Sequence, residues 1–72
     1  MDDEEREPAR GGDPRLAALA GALGTLIEHM DDLALDLLRE AVAAGERQRP
    51  DAERRLVRAR NALARAQHLL EG

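Results

Sequence analysis

Leu16, Leu19, Leu23, Leu26, Met30, Leu33 and Leu37 follow one another at alternating spacings of three and four. This heptad seam permits few folds. On an α-helix it makes one continuous stripe, whereas on a strand the same residues would scatter over both faces. Ala20, Ile27, Ala34 and Ala41 recur at every seventh position beside it and widen the stripe to the three-in-seven face of a bundle helix. The pattern predicts a long helix over about 14–44, lying along a neighbour at a shallow angle.

The ends of that helix are marked. Asp13-Pro14 supplies an oxygen for the orphan amides and a first helical residue that needs no donor. Gly45 suits the left-handed position past the last turn. Gly21 and Gly24 weaken the middle by about 1 kcal/mol each relative to alanine, and Thr25 with Glu28 could act as a capping box. Because the heptad phase runs through this point unchanged, we expect one continuous helix.

After the polar link Glu46 to Arg49, Pro50-Asp51 opens a second helix over about 51–70. Its apolar row is Leu56, Ala59, Leu63, Ala66 and Leu70, with Ala52 before it. A link this short makes the helices antiparallel neighbours. The expected fold is therefore all-α: an antiparallel hairpin of two long helices.

A hairpin of this kind is expected to associate. At 1.5 Å per residue the first helix is the longer by about 16 Å, which would leave Leu16, Leu19, Ala20 and Leu23 projecting beyond the second. Leu35, Leu38 and Val42 make a further apolar row off the seam and a possible partner surface; Val57 and Ala64 resemble it on helix 2. A 72-residue chain, with two helices meeting along one stripe, buries too little apolar area to offset the entropy of ordering them. We expect a homodimeric four-helix bundle, or a tetramer, formed through Leu16, Leu19, Leu23, Leu26, Met30, Leu33, Leu37, Leu56, Leu63 and Leu70. The layout alone resembles the RNA-binding hairpin dimers of plasmid copy control; no motif is shared.

Charge supports pairing of unlike helices. Residues 13–44 hold six acids against two arginines, while 51–72 hold five arginines against three acids. Such complementarity fixes register more than it adds stability. Residues 1–12 carry five acids, two arginines, a proline and a glycine pair, which reads as a disordered acidic tail.

The composition narrows function. The chain has no cysteine, serine, lysine or tyrosine and 0% aromatic residues, so thiol, hydroxyl and amine nucleophiles and base-stacking platforms are largely missing. His29, His68, Glu28, Asp32 and Asp36 are the groups that could meet as a metal cluster. The Glu-x-x-His pairing of di-iron bundles is absent, so we assign no metal, cofactor or catalytic residue. Net charge of -4 argues against phosphate neutralisation as the main task. Even so, Arg54, Arg58 and Arg65 share one side of helix 2 and form the candidate anion-binding surface, flanked by Arg55 and Arg60. No apolar run is of membrane-spanning length. The arginine and alanine bias suggests a high-GC bacterial genome, and cytoplasmic residence is the expectation. The expected function is a non-enzymatic interaction or regulatory module that binds itself and another protein. The alternative is a small nucleic-acid or anionic-ligand binder using the arginine side.

Overall fold

A computed structural model describes residues 12–72; the expected acidic tail falls almost wholly outside them. Two helices pack against each other as a hairpin, α1 over Pro14–Ala43 and α2 over Asp51–Glu71. There is no strand among the described residues.

The start of α1 is held by Asp13. Its carboxylate accepts from the Arg15 amide at 2.8 Å and from the Arg15 guanidinium at 2.7 and 3.1 Å. Pro14 follows at the position where no donor is required. The helix then passes Gly21 and Gly24 without a break. The Thr25 hydroxyl donates back to the Gly21 carbonyl at 3.3 Å instead of capping a new helix.

At its far end α1 closes in a Schellman motif. Gly45 takes φ +78°, its amide donates to the Val42 carbonyl at 3.0 Å, and the Glu46 amide donates to that of Ala41 at 2.9 Å. The left-handed residue turns the chain straight back, and Glu46 and Pro50 then share a depression with Leu37 and Ala41. The link therefore descends alongside α1 before α2 begins.

This descent changes the expected register. Leu70 and Glu71 reach a cleft also lined by Asp13, Ala17, Ala20 and Gly21, so α2 covers α1 nearly to its first turn. Ala20, expected to overhang, is 3% exposed and the most enclosed apolar residue in the hairpin. Leu23 is half-buried. Of the residues assigned to an overhang, Leu16 and Leu19 remain exposed.

The rotation of the helices also differs from a simple seam-to-seam pairing. On α1 the row facing α2 is Ala20, Ile27, Ala34 and Ala41, with the leucine seam to one side of it. On α2 the corresponding line runs through Glu53, Arg60 and Gln67, flanked by half-buried Leu56, Val57, Leu63 and Ala64. Ala20, Ile27 and Ala41 are the buried apolar residues, and no large side chain is fully enclosed among the described residues. Three long polar chains at the centre of an interface are tolerated because their stems pack while their heads reach partners.

Each head has one. Glu53, 3% exposed, receives both arms of the Arg49 guanidinium at 2.7 and 3.0 Å. Arg60 grips Asp31 across the hairpin at 2.9 and 3.4 Å. Gln67 donates to the Ala20 carbonyl at 3.0 Å.

Candidate interaction face

The leucines that do not face α2 lie on one open side of the hairpin. Leu33 and Leu37 of α1 line a groove of about 590 Å³ together with Ala52, Arg55, Leu56 and Ala59 of α2. Leu26 and Leu19 repeat the position of Leu33 one and two heptads earlier, and Ala66 repeats that of Ala59 one heptad later. Leu19, Leu26 and Leu33 are 55%, 45% and 49% exposed. Leu23, Met30, Leu37, Leu56, Leu63 and Leu70 are half-buried along the edge between the hairpin interior and this open side.

The predicted association residues thus come together on one surface, and the seam forms its middle. Leu16 is the outlying member, at the first turn of α1 and exposed. A helical hairpin can bury only the row pointing at its partner helix. A three-in-seven apolar face spans a wider arc, so one edge of it must look outward.

The other rows are less coherent. Leu35 and Val42 are exposed, but Leu38 is half-buried beside α2. The Leu35, Leu38, Val42 row is therefore split between the hairpin interior and its surface. Leu69 projects from the outer side of α2.

Charge is arranged mostly within each helix. Arg54 and Arg55 approach Asp51 at 3.5 and 3.9 Å, and Arg39 approaches Asp36 at 3.9 Å. Asp31–Arg60 is the ion pair joining the helices among the described residues. The expected acid-to-base complementarity is thus realised at a single point, which lies near mid-hairpin. Arg54, Arg58 and Arg65 are all exposed, and neither Arg58 nor Arg65 has an ion-pair partner among the described residues.

At the two ends of the hairpin, paired charges shift each other's ionisation. The Arg15 guanidinium, and then its amide, hold the Asp13 carboxyl below the usual carboxylate range. The Glu53 carboxylate, by hydrogen bond and by charge, raises Arg49 above the ordinary arginine value.

Chemistry-bearing groups do not gather. His29 and His68 are both exposed. With Gln67 beside Ala20 and Gly24, His68 lies more than a helical turn from the level of His29. No group of three or more His, Asp or Glu side chains is placed to hold a metal ion among the described residues. No described helix is long and apolar enough to cross a membrane.

Sequence reasoning missed Arg49, Glu53 and Gln67 as structural residues. The i, i+4 spacing of Arg49 and Glu53 was a visible signal for the first pair. Gln67 gave none, since its partner is a backbone carbonyl 47 residues away. No protein-family model, curated protein or solved structure matches this chain.

Proposed function

We propose that this chain is a non-enzymatic, self-associating helical module, in which two hairpins join through the leucine face as a four-helix bundle. The observation that carries this reading is the exposure of Leu19, Leu26 and Leu33 beside a groove lined by leucines and alanines of both helices, with Arg55 at its border. Such a face stays in water in one copy, and a second copy supplies a self-complementary cover. The hairpin's own interior is thin: alanines, one isoleucine and three tethered polar side chains. Folding and association are then one process, as in obligate dimers.

An assembled bundle presents its outer sides to other molecules, and this is where a regulatory or scaffolding role would be exercised. Sedimentation equilibrium and far-UV circular dichroism over a dilution series test the reading. Helicity should fall as the dimer dissociates. A compact monomer that melts cooperatively and independently of concentration would overturn it.

A second reading is favoured by the exposed Arg54, Arg58 and Arg65, of which the last two have no acidic partner among the described residues. These could dock an anionic ligand or nucleic acid on the side of α2 turned away from α1. Retention on a polyanion that declines with salt, and that is lost in the Arg58→Ala/Arg65→Ala variant, distinguishes this reading.

A further inference from the structure

Resting on the self-association reading, we infer that the two hairpins join with their loops at the same end, each α1 lying over the partner's α2. Two face-to-face arrangements have two-fold symmetry. In one, the axis runs along the helices, so unlike helices meet and the loops are neighbours. In the other, the axis crosses the helices, so α1 meets its own copy, α2 meets its own copy, and the loops lie at opposite ends.

Side-chain size separates the two. On the open face α1 presents a row of large residues, Leu19, Leu26 and Leu33, and α2 a row of small ones, Ala52, Ala59 and Ala66. Interaxial distance follows the side chains at the contact, from about 8 Å to about 10 Å. Like-on-like pairing sets leucine rows against each other on one side and alanine rows on the other, forcing unequal spacings. Unlike pairing fills the space over each alanine row with the partner's leucines, at one common spacing.

The axial register agrees. Asp31 is opposite Arg60. The helices are antiparallel, so five residues on from Asp31 is level with five residues back from Arg60, and Asp36 is level with Arg55. A two-fold axis along the helices preserves level. It therefore also brings Asp36 of one copy level with Arg55 of the other. Glu40 continues the Leu33 row by one heptad, and Arg55 borders the groove beside Ala52 and Ala59. Arg55 of each copy is thus level with Asp36 of the other and about one helical turn from its Glu40. With loops at opposite ends, Asp36 and Glu40 instead fall level with the glycine- and alanine-rich start of α1, where the one basic residue, Arg15, is already held by Asp13.

The chain has no cysteine, so Arg47→Cys gives a unique attachment point in the loop of the intact protein. Nitroxide labels there should be separated by less than about 25 Å in the same-end dimer, given neighbouring axes about 8–10 Å apart. A separation of about 40 Å or more, set by helix length at 1.5 Å per residue, overturns the arrangement while leaving a dimer in place. Absence of dipolar coupling in a sample that sediments as a monomer overturns the self-association reading itself. As an independent check, Arg55→Glu should weaken the dimer by roughly tenfold, and adding Asp36→Arg should restore it. A charge reversal without effect, or without rescue, counts against the arrangement.

Discussion

The side-chain amide of Gln67 fits against Gly24 so closely that a Cβ added there would lie 2.7 Å from its Nε2. From this position Gln67 donates to the Ala20 carbonyl at 3.0 Å, a bond that pins the lower half of α2 to α1. Gly24 is thus explained by close approach, whereas Gly21 faces open space.

The two glycines should therefore respond differently to the same change. Gly21→Ala should stabilise by about 0.5–1 kcal/mol, the helix-propensity gain alone. At Gly24 the same gain is offset by displacement of Gln67 and loss of a hydrogen bond of about 1 kcal/mol, so the net change should be near zero. In a Gln67→Ala background, Gly24→Ala should recover the full gain. Urea midpoints of the four variants at one protein concentration form the cycle; additive effects would show that Gln67 and Gly24 are uncoupled.

The helices and the hairpin could be read from the sequence because their signals are local. Asp13-Pro14, Gly45 and the heptad leucines each act within a turn or two of themselves. Rotation and register could not. The heptad row on α2 does not say which residues face α1: the hairpin turns Glu53, Arg60 and Gln67 toward α1 and leaves Ala52 and Ala59 exposed. A heptad stripe gives the mean direction of burial over all neighbours, and one neighbour takes only an edge of it. Register depended on the descent of the link after Gly45, which no periodicity encodes. The open face itself was legible residue by residue, and its division from the hairpin interior was not.

The Arg49–Glu53 clamp holds that link against α2. Arg49→Ala leaves a carboxylate that is 3% exposed without its partner. Arg49 itself is about half exposed, so solvent reaches the pair and the loss should be smaller than for a wholly buried pair. Glu53→Leu removes both the charge and the need for its partner, and should cost less than Arg49→Ala. Chemical unfolding at constant protein concentration decides the order of the two; the reverse order would mean the clamp stabilises by attraction and not by avoiding an unpaired charge.

Asp13 makes the start of α1 sensitive to acid. Its carboxyl is held below the ordinary value by Arg15, so its contribution is fully present above the unfolded carboxyl pKa near ~3.9. As pH drops through the depressed folded value, that contribution is lost. Asp13→Asn keeps a capping oxygen but does not titrate. Between pH 7 and pH 2 the thermal midpoint of the parent should therefore fall relative to that of the variant, with the divergence confined to the region below about pH 4. Parallel curves would mean that the cap survives protonation.

The sharpest prediction concerns which residues belong to which interface. Ile27 is 6% exposed in the row facing α2, so Ile27→Ala should destabilise by about 2–3 kcal/mol through lost burial and a residual cavity. Its subunit stoichiometry should be unchanged at concentrations where it remains folded. Leu33→Asp and Leu19→Asp place a charge on the open face, where the hairpin alone would hydrate it. Both should weaken assembly, with helicity recovered by raising protein concentration. Leu63 is half-buried at the edge between the hairpin interior and the open leucine face, so on the proposed assembly Leu63→Asp should lose helicity and association together, since neither contact would accept an unpaired carboxylate. Sedimentation and circular dichroism on the same samples separate these outcomes. If Leu33→Asp sediments as the parent does, the leucine face is not where the copies meet; if Leu63→Asp stays folded, the edge of the open leucine face lies elsewhere on α2.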